Sequence, residues 1–241
     1  MNPSRQPVSV CLASRNGELY IEAQILSILE QLQAHDELII SDDASTDSTL
    51  ALVKKLADRR IHTLQNTHPL GVIKNFEKAL VHAKHEYIFL CDQDDVWLPG
   101  KVDKCLKVLE YAVLVVTDCQ VVDIQLCSIH PSFFSLRGSR SGIVSNLWKN
   151  SYLGCCMALR RPVLLRALPI PPKVPMHDMW LGLVAQTCGP VVYLPEILSL
   201  YRRHPKAASD AAGSSRASLV QQFDYRFRLL QALACRLMFK Q

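Results

Sequence analysis

Residues 87–101 read YIFLCDQDDVWLPGK. An apolar run stops at three carboxylates, Asp92, Asp94 and Asp95, with Trp97 close behind. Like charges this close repel one another and resist burial. Three uses could justify them. Aspartate suits turns and helix caps, but three acids behind an apolar run exceed what a cap needs. Mg2+ or Mn2+ prefers oxygen ligands and is commonly held by one or two carboxylates plus substrate phosphates. A pair of acids can also divide into general acid and general base with separated pKa values. The cation site accounts best for the clustering, because a cation cancels the repulsion. A second acidic end, Asp42 and Asp43, closes the apolar run DELIISDD.

Those acids need a frame. The apolar pattern predicts strands over VSVCLAS, DELIISDD, RIHTLQN, YIFLCD and AVLVVTDCQVVD. Helices are predicted between them, over ELYIEAQILSILEQLQ, STDSTLALVKKLADRR, GVIKNFEKALVHAKHE and LPGKVDKCLKVLEY. In the first, Tyr20, Ile21, Ile25, Ile28, Leu29 and Leu32 recur at helical spacing. The second opens on Ser, Thr and Asp, which cap helices. Such alternation predicts an α/β fold with a mostly parallel sheet covered on both faces. Ligands of these sheets bind beyond the carboxyl ends of the strands, so the two acidic ends are expected to face one crevice.

The second half is less regular. Residues 130–142, HPSFFSLRGSRSG, read as a polar, mobile loop. NSYLGCCMALRRPVLLRAL predicts a strand then a helix, MHDMWLGLVAQTCG a helix, and PVVYLPEILSLYRRH an extended stretch. PKAASDAAGSSRAS reads as a flexible linker. Residues 219–241 predict an amphipathic helix carrying basic side chains.

Composition bounds the rest. The chain has 241 residues, 49% of them hydrophobic, enough for one sizeable core or one domain with an appendage. The net charge of +5 is a mild bias spread along the chain, not the concentrated basic patch of a nucleic-acid binder. No stretch reaches the ~18 apolar residues of a membrane span, and the N-terminus has no apolar core of a signal peptide. The nine cysteines form no CxxC pair. Reduced thiols in a cytoplasmic protein are therefore expected, and no zinc site.

Taken in order, the motifs resemble a family 2 glycosyltransferase of GT-A fold, over residues 8–204. VSVCLASRNGELYIEAQILSILEQ resembles the family's first strand, Asn-Gly turn and helix. ELIISDDASTDSTLALV resembles its DDgStD element, and NTHPLGVIKNFEKAL its Asn-x-Gly-x-x-x-Asn segment. YIFLCDQDDVWLPGKV resembles its Asp-x-Asp motif. YLGCCMALRR, MHDMWLGLVA and LYRRH resemble the pocket-lining, catalytic-base and late Tyr-Arg-x-His elements. The DQDDVW, HDMW and YRRH versions look most like the rhamnosyltransferase-type branch, which builds bacterial surface polysaccharides from dTDP-L-rhamnose or a related nucleotide sugar.

The resemblance implies a Rossmann-like, mostly parallel central sheet with helices on both faces. It implies a nucleotide-sugar half over 1–118, an acceptor half over 119–205, and a linker and amphipathic helix over 206–241. Asp94 and His204 would hold Mn2+ or Mg2+, and Asp92 would contact the ribose or a metal-bound water. Asp95 would stand behind them, and Trp97 would pack behind the metal site. Asp42 and Asp43 would contact the nucleobase and ribose, their plainer alternative being a helix cap. Ala13, Arg15 and Asn75 would also line the nucleotide. Relatives commonly carry Thr and an aromatic at the positions of Ser14 and Arg15, so Arg15 departs from the pattern. Gly154 would let the backbone approach the donor sugar, with Cys155 lining the pocket beside it. Cys156 replaces the common Thr. Arg202 would contact the pyrophosphate. Asp178 would be the general base of an inverting transfer, supported by His177; its alternative is a polar residue in a first helical turn. Trp180 would be core or a sugar platform.

The implied partners are a dTDP- or UDP-sugar donor and a glycan or lipid-linked glycan acceptor, with no nucleic acid. A nucleotidyltransferase is the nearest competing activity, but ASRNGELY lacks the repeated glycines and nearby Lys of a phosphate loop. A non-catalytic nucleotide-sugar-binding protein and a scaffold subunit also compete. The C-terminal helix would either pack on its own domain or a second copy, or lie on the anionic inner face of the membrane.

Overall fold

The computed structural model describes residues 5–172, 174–204 and 219–239. In chain order the elements are β1 (Val8–Ser14), α1 (Ile21–Leu29), β2 (Glu37–Asp42), α2 (Thr49–Lys55), β3 (Ile61–Gln65), α3 (Val72–His82), β4 (Tyr87–Asp92), β5 (Val96–Trp97), α4 (Lys101–Leu109), β6 (Leu114–Val122), β7 (Ser128–His130), α5 (Phe133–Arg137), α6 (Ile143–Trp148), β8 (Met157–Arg160), α7 (Arg161–Ala167), α8 (His177–Ala185), β9 (Val191–Arg202) and α9 (Leu219–Phe239). A one-turn 3-10 helix, Gly154–Cys156, leads into β8.

Among the described residues these strands form one sheet, in the order β3-β2-β1-β4-β8-β6-β9-β5, with β7 paired to β6. The first four are parallel, as the strand–helix alternation predicts. Beyond β4 the sheet turns mixed. The short strand β8 inserts antiparallel between β4 and β6, while β6 and β9 run parallel.

Successive strand side chains point to opposite faces, and both faces are covered. Val8, Val10 and Leu12 pack with Ile21, Ile25 and Ile28 of α1, Val53 of α2, and Val102, Cys105 and Leu109 of α4. Cys11 and Ala13 of the same strand belong to the opposite core, with Phe76 and Leu80 of α3, Leu164 of α7 and Trp180 and Leu183 of α8.

Residues 130–142 are not the loop their polarity suggested. They contain α5, whose N-cap Ser132 accepts through Oγ from the Ser135 amide at 3.0 Å and whose C-cap Gly138 is left-handed at φ 64. Phe133 supplies the buried contact, and Asp118 of β6 accepts from Ser132 Oγ and the Phe134 amide.

The C-terminal helix packs on its own domain. Leu229 and Leu233 enter the core beside α8. Arg236 donates to the carbonyls of Leu168 (2.6 Å) and Pro169 (2.5 Å), and its guanidinium lies 5.6 Å from the Trp180 ring centre. The expected linker lies outside the described residues. Among those described, no helix is long and apolar enough to cross a membrane.

Candidate active site

The carboxyl ends of β1, β2 and β4, the end of β9 and the N-terminus of α8 surround one cavity of about 370 Å³. Eleven of the residues expected from sequence line it: Ala13, Arg15, Asp43, Asn75, Asp92, Asp94, Gly154, His177, Asp178, Arg202 and His204. Asp42 and the Cys155 side chain do not.

On the β2 side the chain holds Asp43 firmly. Burial works against its charge, but the Leu70 amide (2.7 Å), the Asn66 side-chain amide (2.9 Å) and the Gly71 amide (2.9 Å) outweigh it and lower the pKa. The Arg15 guanidinium adds to this from 3.8 Å. Asp42 faces away and is saturated by Ser14 Oγ (2.9 Å), the Ser45 amide (2.8 Å) and Ser45 Oγ (2.5 Å). These bonds fold the loop after β2. Asn75 reaches the wall with its amide spent on protein: it donates to the carbonyls of Ser14 and Ser41 and accepts from Ser41 Oγ and Asn66. It ties α3 to both strand ends.

The loop after β1 is latched to the loop after β4. Gln93 Oε1 accepts from the Arg15 amide at 2.8 Å, and its Nε2 donates to the Arg15 carbonyl at 2.9 Å. The Gln93 side chain occupies the space a Cβ at Gly17 would need, with Oε1 2.2 Å from that position.

The three acids at the end of β4 and in the turn after it have different surroundings. Asp94 Oδ2 lies 2.6 Å from His204 Nε2. Asp95 is buried; one oxygen accepts from the Arg202 amide at 3.0 Å, and Oδ2 has no partner among the described residues. Burial, then the charges of Asp94 and Asp178, push the Asp92 pKa up to about 8. Burial, Asp94 and Asp92 push Asp95 up as well. Arg202 spends its guanidinium on the carbonyls of Asp94 and Ile124, both at 2.7 Å, and stacks 4.7 Å from the Tyr20 ring centre. It braces the acid loop, which leaves less of it for a pyrophosphate. Carboxylate oxygens beside an imidazole, with mutual repulsion to relieve, fit a divalent cation such as Mn2+ or Mg2+. Trp97 packs beneath, 5.7 Å from Phe89.

The opposite wall is the first turn of α8. Asp178 is 6% exposed, and burial raises its pKa to about 6 against the opposing amides of Met179 and Gly154. That is a carboxylate poised to exchange a proton near neutrality. His177 stacks on Phe76 at 3.9 Å, and burial lowers its pKa to about 3, so it is neutral. A Cβ at Gly154 would sit 3.0 Å from His177 Nε2, so glycine keeps this corner open. Trp180 is core: its ring is buried and Nε1 donates to the Ala167 carbonyl at 2.9 Å.

Sequence reading missed Lys101, a fully buried lysine at the start of α4. A signal existed, since Lys101, Cys105 and Leu109 recur every four residues on the stripe that faces the sheet. It also missed Met176 and Tyr201, which line the cavity.

The profile of glycosyl transferase family 2 matches residues 9–168. The chain belongs to that family. Among its family relatives, the Escherichia coli UDP-Glc:alpha-D-GlcNAc-diphosphoundecaprenol beta-1,3-glucosyltransferase WfgD is 34% identical over 102 residues, 42% of this chain and 40% of the relative. The dTDP-rhamnosyl transferase RfbG of Shigella flexneri is 33% identical over 107 residues, 42% of this chain and 37% of the relative. The matched part thus spans about two fifths of these relatives. Residues 1–349 of S. aureus TarS, solved with UDP-GlcNAc, superpose with a TM-score of 0.71 at 17% identity, covering 98% of this chain and 67% of that 1–349 fragment. The mannosyltransferase PcManGT of Pyrobaculum calidifontis, solved with GDP-Man and Mn2+, gives 0.65 at 20% identity, covering 97% and 69%. At these identities the likeness speaks for the fold, which is GT-A. Family membership sets aside the nucleotidyltransferase alternative.

Proposed function

We propose that this family 2 chain is an inverting, divalent-cation-assisted glycosyltransferase, moving a sugar from a nucleoside-diphosphate donor to a glycan or lipid-linked glycan in bacterial cell-surface glycan synthesis. The observation that carries the reading is the convergence on one cavity of Asp43, the Asp94–His204 pair and Asp178, from three separate parts of the chain. Asp43, Ala13 and Arg15 bind the nucleoside. Asp94 and His204 would hold Mn2+ or Mg2+, which would supply positive charge to offset the diphosphate of the departing nucleotide. Asp92 faces the ribose side of that pair. Gly154 and His177 border the sugar.

Asp178 takes the proton of the acceptor hydroxyl. The oxygen then bonds to the anomeric carbon from the face opposite the phosphate, and the carbon–oxygen bond to the diphosphate breaks. Its electron pair leaves with the nucleotide, and the configuration inverts. The donor is a pyrimidine-nucleotide sugar, with dTDP-rhamnose first among the candidates; the sequence motifs and the dTDP-rhamnosyl relative support this. The outward side of α9 exposes Phe227 (60%) and Met238 (65%), which supports peripheral contact with a membrane surface.

The test is nucleotide release by purified protein with Mn2+ or Mg2+, offered dTDP-rhamnose, UDP-glucose, UDP-GlcNAc and GDP-mannose. Cation-dependent release from one donor, lost in Asp94→Ala and in Asp178→Asn, is expected. Failure of all four to bind, with or without cation, would overturn the reading and favour a scaffold role.

A further inference from the structure

Lys101 plays no part in the reaction just described, yet it is the largest charged side chain wholly inside the molecule. Its ammonium donates to the Cys155 carbonyl at 2.7 Å and to Ser199 Oγ at 2.6 Å, and lies 4.7 Å from the Trp97 ring centre. Its hydrogen-bond partners are neutral, although burying an ammonium without a carboxylate beside it is costly. Packing alone would favour a methionine there. The position of Cys155 explains the charge. Residues Gly154–Cys156 form one 3-10 turn, closed by the Cys156 amide to the Leu153 carbonyl at 2.9 Å. So short a turn has little stability of its own. One of its peptide groups faces the ammonium through the Cys155 carbonyl. Two peptide units earlier, Gly154 lies beside Asp178: a Cβ there would stand 3.7 Å from Asp178 Cβ, and its amide favours the charged carboxylate.

We propose that Lys101 is a positioning residue for the base: its ammonium pins the Cys155 carbonyl and so fixes the Gly154 amide against Asp178. The inference rests on Asp178 being the base. An ammonium suits this task better than a neutral donor, because a charge-assisted hydrogen bond is stronger and shorter. The same charge also opposes the rise in the Asp92 pKa from behind. Asp178 is faced by Asp92 from β4, by His177 on its own helix and by the amides of Gly154 and Met179. Asp94, Arg202 and His204 line the same cavity. Among these, only the Gly154 amide is tied to Lys101 through the turn.

The decisive experiment follows the side-chain carboxyl carbons of aspartate by 13C NMR across a pH titration. The Asp178 signal is assigned by its loss in Asp178→Asn. In Lys101→Met the Asp178 midpoint should move up by about one pH unit, as expected for loss of a hydrogen bond to the charged form. Lys101→Met/Ser199→Ala, which also removes the orphaned hydroxyl, should melt higher than Lys101→Met and keep the same raised midpoint. Dissociation constants for UDP-glucose and dTDP-rhamnose should stay within about threefold, while the release rate falls about tenfold or more. An unchanged Asp178 midpoint in a folded Lys101 variant overturns the proposal. A shifted midpoint with wild-type release that ignores Asp178→Asn would instead leave Lys101 in place and sink the assignment of the base.

Discussion

Asp178 carries two costs in one side chain. Its pKa of about 6 lies above that of a free aspartate because it is buried. As a base it must be deprotonated to act, so kcat/KM should rise with pH up to a midpoint near that value and then level off, and Asp178→Asn should remove both the rise and at least about a hundredfold of the rate. Folding runs the other way. Between the unfolded and folded pKa values the native state binds the extra proton, so stability is fullest below about pH 4 for this group and is lost as pH rises to about 6. The loss amounts to roughly 3 kcal/mol. Asp178→Asn should therefore melt above wild type at pH 7 and match it near pH 4, and a melting series over that range would reveal any other pattern. His177 stays neutral in the folded protein over this range, but the unfolded chain protonates it below about pH 6.5, which lowers the stability of wild type and Asp178→Asn alike as pH falls.

Two elements hold the wall that carries Asp178. Helix α8 passes so close to Tyr152 that a Cβ at Gly182 would stand 2.5 Å from the ring. Gly182→Ala should cost about 1–3 kcal/mol by overpacking, read from urea unfolding. Helix α9 presses on α8 from outside, with Leu229 fully buried. Leu229→Ala should cost about 2–5 kcal/mol if that docking is part of the cooperative fold; an unchanged midpoint would mean α9 frays independently. Elements of this kind were legible in the sequence wherever a period was sustained. The four parallel strands and their helices announce themselves by alternating patterns. Helix α5 did not, because it spans only five residues with one fully buried side chain, Phe133, and Asp118 supplies its anchor from another strand. A single buried residue leaves no periodicity to detect.

At the scale of the molecule, the site exists because strand ends far apart in sequence converge, so Asp94→Ala should abolish cation-dependent donor binding in calorimetry while leaving the melting profile of the free protein nearly intact. The residue types at those ends were legible; their allegiances were not. Asp42 and Asp43 are neighbours with the same chemistry, yet one is consumed by Ser14 and Ser45 and the other meets the cavity. Arg202 and Asn75 reach the wall already engaged with protein atoms. Such bookkeeping of hydrogen bonds depends on three-dimensional neighbours, which no spacing rule encodes. The latch between Gly17 and Gln93 shows how such neighbours bind a lineage's future. Any side chain at position 17 collides with the glutamine that stitches the two loops. A side chain at position 17 is accommodated only when the glutamine swings aside or shrinks, at the expense of the latch. Two sites with no covalent link thus constrain one another: as long as the latch is kept, position 17 stays a glycine.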